Sequence, residues 1–330
     1  MKVSIDRLNA LGRTAIERSG YTGSEAETIL DVLMYAQLRG NNQGLVKLIG
    51  PGIPKSPEAR PIEVVRDTPM SAVIDGHQQM AMLVLVRAVE MAVAKAADHG
   101  FGIVGTNNTS TSTGAIGYYA ARIARAGLLG FVFAGSPETV NAHGSYEPIF
   151  GTNPLAIGVP ASGEPIVLDM ATAAIPYYGL IEAKTAGRKI PEGIAYDRDG
   201  RLTTDPAAAM DGAIRPFDRG HKGAGLALMV EVLTGPLVGA AFAGIGDSAR
   251  NWGNLVLAID PGLLTDRSVF AENVARLAGK VKGTKRLPGV SEVFLPGERG
   301  TRLAREQLSA GTIEIEERLL GELKKAAGEE

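Results

Sequence analysis

Small polar residues flank two short apolar runs near the middle of the chain. The stretch Gly151-Thr152-Asn153-Pro154 precedes the run 155–159, and Asp169-Met170-Ala171-Thr172 follows the run 166–168. Prolines and a glycine between the runs predict a turn, so the two runs should form a β-hairpin. A hairpin returns the end of its second strand to the level at which its first strand begins, which gathers the polar residues at one sheet edge. Such an edge suits a ligand rich in hydroxyl and phosphate oxygens, although an ordinary loop is the alternative.

A second candidate ligand site is the segment 219–223, Arg-Gly-His-Lys-Gly, which lies directly before a helix predicted to begin near Ala224. Free backbone N–H groups at the start of a helix attract anions, and the glycines let a phosphate approach closely. Lys222 would add a point charge. The pattern indicates a phosphate site, with a solvated turn lysine as the alternative.

A literal GxGxxG motif spans residues 100–105. The dinucleotide fingerprint requires a strand before the glycines and a helix after them, so that the pyrophosphate meets the helix N-terminus. Here the order is reversed, because a predicted helix ends at His99 and a predicted strand begins near Ile103. We therefore interpret these glycines as the end of a helix and not as a Rossmann loop.

Hydrophobic periodicity predicts the elements that must position these residues. Helical spacing occurs within residues 1–50 and again at 268–282 and 301–310. Between these regions, short apolar strands alternate with helices, at 72–74, 80–99, 103–104, 116–126, 131–133, 224–238 and 254–260. A proline-rich segment, 51–62, should connect the two regions at the surface. The sequence predicts a mixed α/β fold with helices at both ends.

The composition excludes several classes of function. The 330 residues are 45% hydrophobic and 21% charged, with a net charge of −2, so no global field favours nucleic acid or an anionic membrane. No run approaches the roughly 18 apolar residues of a membrane span, and the charged N-terminus is unlike a signal peptide. The chain has no cysteine and no HExxH motif, so we expect neither disulfides nor a metal centre, and a cytoplasmic location.

Several motifs together resemble the type 2 malate/L-lactate dehydrogenase family. They are GAIGYYA (114–120), GTNPLAIGVP (151–160), LDMAT (168–172), IPEGIAYDRDGRLTTDPAAA (190–209), HKGAGLALMVEVLTG (221–235) and LPGER (295–299). The resemblance covers most of the chain in family order. It implies a non-Rossmann α/β domain that binds NAD or NADP, at 71–264, and a discontinuous helical domain, at 1–70 and 265–330. It also implies a homodimer and a small carboxylate as the substrate.

The same resemblance implies which residues form the site. It places substrate contacts at Asn42, Lys47, Ser112 and Thr152, and His143 in a loop on the substrate side. Catalytic candidates are Gln43, Lys47 and His143. Cofactor contacts are implied around the hairpin and at two turns that precede helices: Ser136, Thr152, Asn153, Asp169, Met170, Ala171, Thr172, His221, Lys222, Gly223, Gly297 and Glu298.

The chain departs from the family pattern where the chemistry is expected. The family's Ser-His-Gly with a following arginine is replaced by Asn42, Gln43 and Lys47, and a second family histidine before GYY is missing. A glutamine cannot titrate, whereas Lys47 could bind a carboxylate or, with its pKa lowered by burial, act as an acid. We therefore expect an oxidoreductase acting on 2-oxo or 2-hydroxy acids. The alternatives are a reductase of cyclic 2-imino acids, whose protonated C=N already carries its proton, and a dinucleotide-binding protein without turnover.

Overall fold

The computed structural model describes residues 1–50 and 52–329. Pro51 and Glu330, which fall within the predicted helical domain, lie outside the described residues. The described helices are α1 (Ile5–Arg18), α2 (Ser24–Leu38), α3 (Ala81–His99), α4 (Gly117–Arg125), α5 (Tyr177–Thr185), α6 (Pro206–Met210), α7 (His221–Thr234), α8 (Arg267–Lys282), α9 (Glu298–Ala310) and α10 (Glu317–Ala326), with short 3-10 helices at Leu45–Leu48 and Pro261–Leu263. None of these helices is long and apolar enough to cross a lipid bilayer.

The strands form three sheets. They are β1 (Lys2–Ser4), β2 (Glu63–Asp67), β3 (Ser71–Asp75), β4 (Phe101–Thr109), β5 (Leu129–Ala134), β6 (Val140–Asn141), β7 (Pro148–Phe150), β8 (Leu155–Val159), β9 (Ile166–Met170), β10 (Ala195–Tyr196), β11 (Ala213–Ile214), β12 (Trp252–Ile259) and β13 (Thr312–Glu314). The largest sheet has the order β2-β3-β4-β12-β5-β8-β9, and β3 with β4 is its one parallel pair within the described chain. The mixed α/β prediction is confirmed, and the sheet is not the parallel sheet of a Rossmann fold.

The two faces of the large sheet bury different sides of the same strands. Val256 and Ala258 of β12 face the main core, whereas Leu255 packs with Val238 and Ala240, which follow α7. This alternation is the period of two that a strand buried on both faces requires. A smaller second core, around Ile214, lies beneath α5, α6 and the sheet β10-β11-β6-β7.

Glycines allow helices to pack closely on this sheet. At Gly102 in β4, a Cβ atom would lie 2.1 Å from the carbonyl oxygen of Ala92 in α3. The GxGxxG stretch thus belongs to a helix end and a strand, as expected, because Gly100 ends α3 in the left-handed conformation with φ 77°. At Gly158 in β8, a Cβ atom would lie 2.2 Å from the carbonyl oxygen of Ala120. This contact seats α4 against the hairpin.

The hairpin β8-β9 and the paired ends of the chain are two further features of the fold. Strands β8 and β9 pair antiparallel from Leu155 opposite Met170 to Val159 opposite Ile166, as the sequence predicts. Strand β1 pairs with β13, and α1 and α10 contribute to the same core as the large sheet. Strand β2 joins that sheet although it lies within the range 1–70. The domain boundaries at residues 70 and 264 stay a prediction.

Candidate active site

A cleft of about 780 Å³ opens between three parts of the chain that are distant in sequence. One wall is the end of α2 and the loop after it, including Asn42. The second is the end of β9, including Asp169, and the third is the turn that begins α9, including Gly297. The volume falls within the range of roughly 300–1,000 Å³ that is typical of sites for small molecules. The structure thus brings together one predicted substrate residue and two predicted cofactor residues.

Asp169 provides a carboxyl group at the end of β9 that faces this cleft. Its Oδ2 accepts a hydrogen bond of 2.9 Å from the backbone N–H of Gly117, the first residue of α4. Asp169 is exposed at the cleft, but desolvation of its carboxyl group by the surrounding protein raises its pKa to about 6, against the lowering effect of the Gly117 hydrogen bond. A Cβ atom at position 117 would lie 2.8 Å from Oδ2, so this approach requires glycine. Asp169 can therefore exchange a proton near neutral pH.

Two arginines that the sequence analysis did not single out also line the cleft. Arg39 stacks its guanidinium 3.7 Å from the ring centroid of Tyr35, and desolvation lowers its pKa. Arg299 lies on the opposite wall, at the start of α9. Guanidinium groups bind phosphate through paired hydrogen bonds, so this cleft can hold the phosphates of a dinucleotide. The sequence contains both arginines, one in the motif LPGER and one directly after α2. Each of them, considered alone, is indistinguishable from an ordinary charged residue at the surface.

Of the predicted substrate loop, Asn42 lines the cleft, whereas Gln43 and Lys47 do not. The Nε2 of Gln43 donates to Oδ1 of Asn42 at 3.2 Å, and the Gln43 backbone N–H donates to Oδ1 of Asn41 at 2.9 Å. Lys47, in the 3-10 helix, is 1% exposed, and within the described chain its Nζ has no hydrogen-bond partner. Burial lowers its pKa well below the usual value. Its Nζ lies 3.4 Å from the ring centroid of Tyr178.

The loop before β8 is held mainly by its own hydrogen bonds. Thr152 donates its N–H to Oγ of Ser136 at 3.1 Å, and its carbonyl accepts from both the N–H and the hydroxyl of Thr172. Asn153 is fully buried, and its Nδ2 donates to Oε2 of Glu231 at 2.6 Å. The Asn153 amide is therefore turned inward to α7, and a contact of this residue with the cofactor stays a prediction.

The start of α7 differs from the sequence interpretation. Oδ1 of Asp218 accepts hydrogen bonds from the N–H groups of Gly220 at 2.9 Å and of Gly223 at 3.1 Å. These bonds, the Gly220 bond first, lower the pKa of Asp218. A carboxylate of the protein thus occupies the place that we expected for a phosphate at Gly223. The exposed side chains of His221 and Lys222 remain beside it.

The remaining predicted residues do not line the cleft. His143 is exposed, with its ring centroid 6.0 Å from that of His221, and neither lines the cleft. Ser112 accepts the N–H of Gly114 at 3.2 Å in the loop before α4. Glu298 is paired with Lys282, which lowers its pKa, and its Oε2 accepts the N–H of Leu295 at 2.9 Å. Met170 and Ala171 are half-buried beyond Asp169.

The turn at Gly297 docks directly against β9. The N–H of Val167 donates to the carbonyl of Pro296 at 3.3 Å, and a Cβ atom on Gly297 would lie 2.7 Å from the Val167 carbonyl oxygen. Gly297 has φ 78°, which an L side chain rarely adopts. The C-terminal turn thereby completes the cleft beside Asp169.

Comparisons with known proteins identify the family of this chain. The family model described as malate/L-lactate dehydrogenase matches residues 3–324. The L-sulfolactate dehydrogenase of Methanothermobacter thermautotrophicus is 37% identical over 265 residues, 78% of this chain and 75% of that one. The ureidoglycolate dehydrogenase (NAD(+)) of Escherichia coli K12 is 30% identical over 314 residues (90% and 88%). The (2R)-3-sulfolactate dehydrogenase (NADP(+)) of Chromohalobacter salexigens is 32% identical over 322 residues (91% and 93%).

Two solved structures share the fold across the whole chain. The sulfolactate dehydrogenase of Methanocaldococcus jannaschii superimposes with a TM-score of 0.80 at 30% identity, covering 99% of this chain and 97% of that one. The Δ1-piperideine-2-carboxylate reductase of Pseudomonas syringae gives a TM-score of 0.79 at 29% identity, covering 99% of each chain.

Proposed function

Because the chain belongs to the malate/L-lactate dehydrogenase family, we propose that it is an NAD(P)H-dependent oxidoreductase acting on a small 2-oxo or 2-hydroxy carboxylic acid. Hydride would move to or from the α-carbon of that acid. The dehydrogenases of sulfolactate and ureidoglycolate to which the chain is similar support this substrate class. The observation that carries the proposal is the Asp169 carboxyl, with its pKa raised to about 6, in a cleft also lined by Arg39 and Arg299.

Asp169 is proposed as the proton donor for reduction. Delivery of hydride to a ketone carbon leaves an alkoxide, and a positioned acid accelerates such a step by roughly a hundred- to ten-thousand-fold. Gln43 has no proton to transfer, and neither His143 nor Ser112 lines the cleft. Asp169 replaces Gln43, Lys47 and His143 in this role. Gln43 and Asn42 then orient the substrate through their amides, and Lys47 binds its carboxylate.

The cofactor would be bound by two arginines and by a glycine whose lack of a side chain leaves room for it. NAD or NADP, when bound, supplies or accepts the hydride. Arg39 and Arg299 would bind its phosphates, Gly297 would allow close approach, and the segment after β9 would border the nicotinamide: Asp169, Met170, Ala171 and Thr172, with Thr152 and Ser136 behind it. We also propose a cytoplasmic homodimer. Large apolar side chains exposed on α7, Leu228, Met229 and Val232, support association with a second copy.

Imine reduction is the second candidate function. The similarity to the piperideine-2-carboxylate reductase and the non-titrating Gln43 both favour it. A protonated imine accepts hydride without receiving a proton from the protein, so Asp169 would be needed less. The third candidate is a protein that binds a dinucleotide and does not catalyse a reaction.

One panel separates these functions. The purified protein is assayed with NADH and with NADPH against pyruvate, oxaloacetate, 3-sulfopyruvate and piperideine-2-carboxylate, while calorimetry measures cofactor binding. Turnover of at least one 2-oxo acid, lost in Asp169→Asn, is expected. Turnover of the imine alone would favour the second candidate, and cofactor binding with no turnover would contradict both. Arg305→Ala, at an exposed arginine paired with Glu164, is the matched surface control.

A further inference from the structure

Lys47 is buried without a hydrogen-bond partner in the described part of the chain, which is unusual for a lysine. Its side chain is 1% exposed, and its neighbours Leu45, Val46 and Leu48 are buried with it. Within the described residues Nζ has no hydrogen-bond partner. A buried amine without a partner costs free energy, so proteins keep such groups chiefly where a ligand completes them.

The group that covers Lys47 is an aromatic ring at the start of a helix. Tyr178 is the second residue of α5, and its ring centroid lies 3.4 Å from Nζ. The N–H of Gly179 donates to the carbonyl of Pro176 at 2.8 Å, whereas the first two N–H groups of the helix lack intrahelical acceptors, and Pro176 provides no side-chain cap. Pro176 lines the cleft, and the Asn42 amide nitrogen lies 3.1 Å from where a Cβ on Gly179 would be. The start of α5 therefore separates Lys47 from the cleft.

We propose that Tyr178 is a removable cover on the anion site of the substrate. In the free protein its ring closes over Nζ of Lys47. When an acid binds, the ring moves aside, and the carboxylate takes its place between Nζ and the N–H groups that begin α5. This inference rests on the proposed function and adds the residue that controls access to its substrate site.

The exchange is favourable for an acid and not for a neutral ketone. Burial lowers the pKa of Lys47 and so disfavours its ammonium form in the free protein. A bound carboxylate favours that form through charge-assisted hydrogen bonds, which are stronger than a cation–π contact, and the helix start adds further donors. An uncharged ligand offers neither, so it leaves the ring in place. Tyr178 is thus a specificity-determining residue that acts through Lys47.

Chemical labelling of Lys47 in the full chain tests the cover without relying on activity. Acetic anhydride is added to the wild type, Tyr178→Ala and Tyr178→Phe, and acetylation of each lysine is followed by peptide mass spectrometry. Lys47 should be acetylated several-fold faster in Tyr178→Ala, because removal of the ring opens Nζ to the reagent. Tyr178→Phe, which keeps the ring, should match the wild type, and the exposed Lys222 should react equally in all three. Equal rates at Lys47 in all three proteins would overturn the proposal.

A second experiment tests whether a carboxylate binds at Lys47. Oxamate, a carboxylate that cannot be reduced, should protect Lys47 in Tyr178→Ala and should lower its rate of acetylation, whereas acetamide should not. If oxamate gives no protection, the anion site is refuted. Tyr178→Leu, which retains apolar volume, serves in both arms if the alanine variant is unstable. Loss of all turnover in the substrate panel would refute the proposed function while leaving the labelling result interpretable.

Discussion

The backbone amide of Gly117 donates a hydrogen bond of 2.9 Å to Oδ2 of Asp169, and this bond ties the first turn of α4 to the end of β9. Two segments 52 residues apart thus fix one carboxyl group at the cleft. The bond favours the ionised carboxyl, whereas the surrounding protein favours the protonated one, and the second effect is larger.

Gly117→Ala should disturb this balance. Its Cβ would lie 2.8 Å from Oδ2 and 3.0 Å from Cβ of Asp169, so the carboxyl must move and lose the bond. We expect turnover to fall by about tenfold or more, since a misplaced acid transfers its proton poorly. The pKa seen in the rate profile should rise because the hydrogen bond that lowers it is gone. Steady-state rates against pH check this, with Gly321→Ala in α10, where the space is open, as the control.

Asn153 should matter for stability and not for cofactor binding. Its amide satisfies the buried carboxylate of Glu231, so removing it leaves that acceptor short of a donor. Asn153→Gly, which tolerates the φ of 37°, should lower the free energy of unfolding by about 2–3 kcal/mol. Denaturant unfolding measures this, with the exposed Glu322→Ala as control. A large loss of cofactor affinity without loss of stability would contradict the buried role.

Asp218 should act as the cap of α7. Asp218→Ala frees the N–H groups of Gly220 and Gly223, which should lower the melting temperature by a few degrees. Because the freed groups form an anion site, sulfate should raise the melting temperature more in this variant than in the wild type. Asp218→Asn, which keeps an acceptor oxygen, should lose less. Equal sulfate responses in all three proteins would show that the carboxylate does not occupy the helix start.

Arg299 and Arg39 should contribute to cofactor affinity. Arg299→Ala removes a phosphate partner from the cleft wall, so the KM for NADH or NADPH should rise by about tenfold, the worth of one charged hydrogen bond. Arg39→Lys should show a similar loss because a lysine cannot reproduce the stacking on Tyr35. Titration of cofactor by calorimetry gives the affinities. If Arg305→Ala weakens binding as much as Arg299→Ala does, the cleft is not the phosphate site.

The sequence predicts the large elements of this fold because each has a strong local period. The hairpin at 155–170 is predicted by two short apolar runs and the turn residues between them. Helix α3 is predicted by helical spacing of apolar residues and by the glycine that ends it. The short strands β1, β2 and β13 lack such a signal, since each is three to five residues long and depends on a partner far along the chain. The pairing of β1 with β13 was not predicted. The family resemblance implied only that the two helical ends share one domain.

The site was predictable in its location and less so in its roles. Asp169 follows an apolar strand, so its position at a sheet edge was predicted, but its pKa depends on α4, which approaches only in the folded chain. Asn153 was predicted to contact the cofactor because the sequence does not show in which direction an amide side chain points. Asp218 was missed because it lies two residues before the N-cap residue Gly220, outside the position at which a capping carboxylate is usually found. Tyr178 gave no local signal, because it meets Lys47 only through tertiary packing.

The stability of the protein should reflect the cost of keeping Asp169 ionised. Its pKa is raised in the folded state above the value in the unfolded chain, 3.8, so unfolding releases a proton between these values. Stability should therefore fall as pH rises from about 4 to about 6, and Asp169→Asn should be more stable than the wild type above pH 6.

The most direct measurement is the pH dependence of kcat/KM for reduction of a 2-oxo acid, in the wild type and in Asp169→Asn. The acid form donates the proton, so the wild-type value should fall as pH rises through about 6, and oxidation of the 2-hydroxy acid should rise through the same pH. Asp169→Asn should lose roughly a hundred-fold or more in both directions and lose this pH dependence. A variant that keeps the wild-type rate and profile would show that Asp169 is not the proton donor.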